Sequence, residues 1–167
     1  IRCRLGSSAV GLSRLSMEVL AQSSGVVVVS KPSGLTSEDA IHEIRSLLRE
    51  SGQASSLTCV SRLDALTSGA LLVARGGMRS ASANYLQAQF AGRLVSKTYY
   101  CLCSGKLVGR TATRLQTSAR LVVGLEAPSR SHVSPEGDAA LTRICVVGCY
   151  SSASGGSLTL LAVKPIT

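Results

Sequence analysis

A chain of 167 residues, 45% apolar and 16% charged, is long enough to bury a core without disulfide staples, which excludes a wholly disordered polymer. No uninterrupted apolar run approaches the roughly 18–20 residues of a membrane-spanning helix. Lys and Arg outnumber Asp and Glu by 18 to 9, and the net charge of +9 favours a polyanionic partner, nucleic acid first.

Residues 1–17 carry Arg2, Arg4 and Arg14 among small and polar residues, with no acid. That is the composition of an organelle transit peptide, so residues 1–24 are expected to be an N-terminal extension, disordered or targeting. The compartment is expected to be intracellular and is left open between an organelle and the cytoplasm. Val26–Val29 reads as a buried strand broken by Lys31-Pro32-Ser33-Gly34. A helix is predicted from Ser37 to Glu50, capped by Thr36 or Ser37, with Ile41, Ile44, Leu47 and Leu48 on its apolar face and His42 on the solvent side. Thr58–Leu63 reads as a short strand, Asp64–Ser68 as a loop and Gly69–Arg75 as another strand. A second helix is predicted over Arg79–Ala91, with Ala83, Leu86 and Phe90 on one face. Leu94–Cys103, Ala139–Val147 and Leu158–Val163 read as further strands, while the Gly-, Ser- and Arg-rich stretch Gly105–Gly137 reads as irregular in part. Strands outnumber helices without regular βαβ alternation. The expected fold class is α+β, with a mixed, mostly antiparallel sheet and flanking helices.

Residues 75–130 hold nine cations against one acid, Glu126, a balance of +8. Arg outnumbers Lys 14 to 4, which suits phosphate recognition. Between Glu50 and Glu126 the sole carboxylate is Asp64, in the company of nine Lys or Arg. Nearby cations favour the charged form of a carboxylate. Cys3, Cys59, Cys101, Cys103, Cys145 and Cys149 lack zinc-ligand spacing, so they are expected to be reduced, mostly buried thiols with no metal.

Four separated segments resemble the RluA-type RNA pseudouridine synthases. Val27 to Leu35 looks like their strand followed by KPxGL. Ser61-Arg62-Leu63-Asp64-Ala65-Leu66-Thr67-Ser68-Gly69-Ala70-Leu71-Leu72-Val73-Ala74 resembles HRLDxxTSGLLLxA. Gln89-Phe90, Arg93 and Lys97-Thr98-Tyr99 resemble QFxxRxVxKxY, and Ala140-Leu141-Thr142 with Leu160 to Thr167 resemble the later strands. The TruB-type branch also opens with KPxGxTS, which Lys31 to Ser37 echoes, but Arg62-Leu63-Asp64 and the KxY segment depart from it. The resemblance covers roughly residues 25–167, the expected catalytic domain.

The resemblance implies isomerisation of uridine to pseudouridine in structured RNA, rRNA or tRNA, by a monomer without cofactor, metal or membrane. It implies Asp64 as the essential carboxylate and Tyr99 as the aromatic that stacks on the flipped base. Arg62, Lys31, Arg93 and Lys97 become RNA-binding candidates, Lys31 being structural or phosphate-facing rather than catalytic. Thr67, Ser68 and Gly69 would shape the loop. Ser61 stands where the family usually has His, and Leu66 replaces a commonly acidic residue. The chain stops at Pro165-Ile166-Thr167, where the family continues into GRTHQIR. It is therefore expected to be a C-terminally incomplete synthase, the alternative being a non-catalytic RNA-binding fragment that keeps the fold.

Overall fold

The computed structural model describes residues 17–50, 52, 56–107, 114–123, 131–151 and 155–167. The chain divides into two compact units at Val95/Ser96.

The N-terminal unit is a four-stranded antiparallel sheet with helices. Its strands are β1 (Glu18–Gln22), β2 (Val26–Lys31), β3 (Leu57–Cys59) and β4 (Gly69–Arg75), in the order β1-β2-β4-β3. Residues 18–22, inside the expected N-terminal extension, are an ordered strand, because β1 pairs with β2 from Glu18↔Ser30 to Gln22↔Val27. Helix α1 (Ser37–Glu50) has the predicted bounds, and Ala40, Ile41, Ile44 and Leu48 bury one face. That face packs with Val27 and Val29 of β2, Leu71 and Val73 of β4 and Leu57 of β3 into one core. Strand β2 alternates strictly, with Val27, Val29 and Lys31 all buried. The valine row therefore continues into a lysine, two residues beyond the predicted strand end. Lys31 lies opposite Gly69, which has no side chain to fill the same space.

Helix α2 (Ala81–Ala91) begins two residues later than predicted, since Ser80 is its N-cap and its Oγ accepts the Ala83 N–H at 3.2 Å. Only Ala83 of the predicted face is fully buried, with Leu86 and Phe90 half-buried.

The C-terminal unit is a five-stranded antiparallel sheet in the order β5-β9-β8-β6-β7, made by β5 (Tyr99–Ser104), β6 (Arg114–Val123), β7 (Ser131–Val133), β8 (Asp138–Ser151) and β9 (Ser157–Pro165). Strands β6 and β7 fall inside the stretch read as partly irregular. β6 is recruited by β8, pairing from Arg114↔Cys145 to Leu121↔Asp138. Cys103, Val146 and Leu161 form a small core, backed by Cys101, Leu107, Ile144 and Val163. The expectation of mostly buried thiols is too strong. Cys103 is buried and Cys149 exposed, Cys59, Cys101 and Cys145 lie between, and Cys3 falls outside the described residues.

Candidate active site

Asp64 stands in the loop joining β3 to β4, and its side chain is exposed, as is that of Arg62. The loop itself is tied down from below. Lys31 is 0% exposed, and its Nζ donates to the carbonyls of Leu35 at 2.6 Å, Pro32 at 3.1 Å and Ala65 at 3.2 Å. One ammonium thus joins the 32–35 turn to the residue after Asp64. The Gly34 N–H also donates to the Ala65 carbonyl, at 2.8 Å, and Ser33 Oγ donates to the Leu66 carbonyl at 2.9 Å. Gly34 has φ +92°, backbone that favours glycine and lets this turn face the loop.

The residue before Asp64 is held from the other side. Ser37 is 1% exposed, and its Oγ accepts the Leu63 N–H at 2.9 Å and donates to the Leu63 carbonyl at 3.0 Å. It can do this because Thr36 takes the capping role. Thr36 Oγ1 accepts the Asp39 N–H at 3.1 Å and donates to Asp39 Oδ2 at 2.6 Å, while the Thr36 carbonyl accepts the Ala40 N–H at 3.0 Å. Within the loop, the Thr67 N–H donates to the Asp64 carbonyl at 2.9 Å and closes a turn over 64–67. Thr67 is half-buried, Ser68 is exposed, and Gly69 opens β4 at φ +142°. An exposed carboxylate is thus carried on a backbone fastened at both neighbouring residues.

The electrostatics follow from this packing. Burial pushes the Lys31 ammonium below its ordinary value, and the nearby Asp64 carboxylate opposes that shift. Burial pushes the Cys59 thiol up and the Glu38 carboxylate adds to this, while a bond with the Ser61 backbone and the Arg62 guanidinium pull the other way. Arg62 and Glu38 therefore act on the Cys59 thiol in opposite directions.

The other candidates belong to other elements of the chain. Arg93, exposed, follows α2 in the left-handed region at φ 57°, its N–H donating to the Phe90 carbonyl at 3.1 Å. Lys97, exposed, and Tyr99, half-buried, belong to the C-terminal unit, where Tyr99 opens β5 opposite Val163. Lys31, expected among the RNA-facing cations or as a structural residue, is buried with its donors turned inward, so its ammonium is not part of the phosphate-accessible surface.

Sequence reasoning missed two features. Ser37 was legible only as a cap candidate, although the KPxGxTS echo put a hydroxyl at that position. In the C-terminal unit, a groove of about 570 Å³ is lined by Thr98, Gln116, Arg143, Cys145 and Lys164 among others. Arg143 and Lys164 are direct cross-strand partners and both exposed. Like charges placed opposite one another repel, and an anion between them relieves this.

The comparisons with known proteins agree with this architecture. Residues 25–167 match the family described as RNA pseudouridylate synthase, and the chain belongs to that family. It is 31% identical over 156 residues to the ribosomal large subunit pseudouridine synthase C of Vibrio vulnificus, covering 89% of this chain and 45% of that protein. The protein of the same name from Vibrio parahaemolyticus is 28% identical over 163 residues, covering 93% of this chain and 47% of that one. The chain therefore spans a little under half the length of these relatives. Among solved structures, human RNA pseudouridylate synthase domain containing 1 shares the fold at a TM-score of 0.73 and 21% identity, over 91% of this chain and 60% of that one.

Proposed function

We propose that the protein isomerises uridine to pseudouridine in structured RNA, with Asp64 as the essential carboxylate. The reaction breaks the bond between the ribose C1′ and uracil N1, turns the base, joins C1′ to C5, and releases the C5 proton while N1 gains one. Atoms and electrons balance within the nucleotide. A carboxylate can act here as a nucleophile or by removing a sugar proton, and each role needs a reachable anionic oxygen. The observation that carries the reading is the Arg62-Leu63-Asp64 segment of the matched family, exposed at its carboxylate yet tied through Leu63 and Ala65.

Arg62 helps extrude the target nucleotide, since a stacked uridine is unreachable. Tyr99 stacks on the extruded base, and Lys97 and Arg93 hold phosphate. Thr67, Ser68 and Gly69 shape the loop. The names of the Vibrio relatives favour ribosomal RNA as the substrate class.

The test is single-turnover conversion of uridine in rRNA by the intact protein. Asp64→Asn should abolish turnover while leaving RNA affinity within about twofold, because the amide keeps the shape but not the charge. A variant converting uridine at the wild-type rate would remove Asp64 from the chemistry. RNA binding without turnover by the wild type would favour a non-catalytic binding module.

A further inference from the structure

We infer that Ser37 is a positioning residue for Asp64, acting through the backbone of Leu63. The inference rests on the reading of Asp64 as the essential carboxylate. Three observations carry it. Ser37 is 1% exposed, so its hydroxyl has little access to solvent. Its Oγ makes paired bonds to the N–H and the carbonyl of Leu63, at 2.9 and 3.0 Å, which fixes both peptide planes of that residue. Neither bond is needed to start α1, because Thr36 and Asp39 form the cap one residue earlier.

The geometry has a direct consequence for the carboxylate. The Leu63 carbonyl belongs to the peptide that leads into Asp64, so a rotation of that peptide swings the Asp64 Cα–Cβ bond. Lys31 and Gly34 fasten the following residue through the Ala65 carbonyl. Removing the Ser37 hydroxyl therefore frees one end of Asp64 while the other stays held. A displacement of the order of 1 Å in a reacting group can cost about a hundredfold in rate.

The experiment compares Ser37→Ala, Ser37→Cys, Ile44→Val and Asp64→Asn in the intact protein, by single-turnover kinetics well below every melting temperature. Ile44→Val trims the buried face of the same helix without touching the loop bonds, so it reports the effect of general destabilisation. Ser37→Ala should lower the chemical rate about ten- to a hundredfold with RNA affinity within about twofold. Ser37→Cys, nearly isosteric but a poor hydrogen-bonding partner, should fall between wild type and alanine. Amide exchange at Leu63 should speed up in Ser37→Ala beyond any change at the β4 amides.

Either Ser37→Ala or Ser37→Cys reacting no more slowly than Ile44→Val, while Asp64→Asn is inactive, overturns the positioning role and leaves the carboxylate assignment intact. The Cys variant decides this if the Ala variant does not fold. Wild-type turnover by Asp64→Asn overturns the underlying reading instead.

Discussion

The two units solve the problem of burying a sheet differently. In the N-terminal unit α1 covers one face, and nine apolar residues from helix and sheet are buried together. In the C-terminal unit the described core is Cys103, Val146 and Leu161, and Tyr100, Leu102 and Tyr150 remain exposed. Their buried polar residues differ as well. The N-terminal unit buries an ammonium and a hydroxyl, Lys31 and Ser37, beneath the loop that carries Asp64. The C-terminal unit buries Thr159, whose Oγ1 donates to the Gly105 carbonyl at 2.8 Å and accepts the Leu107 N–H at 3.1 Å. In each unit a buried polar side chain ties a loop to the sheet, because a loop cannot supply all its own backbone partners. A thick apolar core gives such an anchor rigidity, so the loop over the larger core is the better place for a reacting group.

The largest expected effect tests that contrast in core size. Ile44→Ala removes a fully buried side chain from the N-terminal core and should cost about 2–5 kcal/mol. Val146→Ala removes two methyl groups from the smaller core and should cost roughly 1.6 kcal/mol. Amide exchange of β4 and of β9 reads the two separately. Ile44→Ala removes three carbons and Val146→Ala two, so the losses are compared per carbon removed, and an equal loss per carbon would mean that the two cores are equally well packed and the contrast would fail.

Lys31 sharpens the comparison at a smaller scale. Lys31→Met keeps the length of the side chain and removes the ammonium. The Pro32 and Leu35 carbonyls then lose a donor, while the Ala65 carbonyl keeps the Gly34 N–H. The expected loss is about 1–3 kcal/mol in urea denaturation. The pH dependence has a defined sign. Burial lowers the folded Lys31 below 10.5, so the folded protein releases this proton before the unfolded chain does. Between those two values the unfolded state binds more protons, and stability from this group rises with pH. The advantage of wild type over Lys31→Met should therefore grow as pH climbs toward 10.5. A constant difference from neutral pH upward would contradict a buried, charge-disfavouring site.

These anchors also mark where the sequence was legible. Helix α1 could be read to its end residues because Ile41, Ile44 and Leu48 recur at helical spacing under an acidic first turn. The Asp64 loop was visible from its motif and its isolation among cations. Strand β6 was not, since Leu115, Gln116, Thr117 and Ser118 are all exposed and this run shows no alternation to reveal it. Its identity as a strand comes from pairing with β8. Lys31 was legible as structural or phosphate-facing, and its place inside the strand was hidden for a related reason. A serine and a lysine after four valines look like the end of a strand, and only the extra pairs Ser30↔Ala70 and Lys31↔Gly69 put the lysine on the inner row. Ser37 was ambiguous because Thr36 could cap equally well, and the tertiary contact with Leu63 decides between them.

The smallest effect concerns Arg93, where stability and binding should move in opposite directions. A non-glycine residue in the left-handed region costs about 1–2 kcal/mol, whereas Gly92, one position earlier, sits at an ordinary φ of −76° but leaves a Cβ only 3.1 Å from the Ala88 carbonyl oxygen. Gly92 thus has its own use in the close approach of the Ala88 carbonyl, and the left-handed position after it carries an exposed guanidinium. Arg93→Gly relieves the backbone but adds freedom to the unfolded chain worth about 0.5–1 kcal/mol, so the net gain should lie between about zero and about 1.5 kcal/mol. If the guanidinium holds one phosphate of a single-stranded segment, the same substitution should flatten the log–log salt dependence of RNA affinity by about 0.7. A higher melting temperature with a flatter slope means that the strain is kept for binding. A higher melting temperature with an unchanged slope would leave Arg93 as an unfavourable helix end with no part in RNA contact.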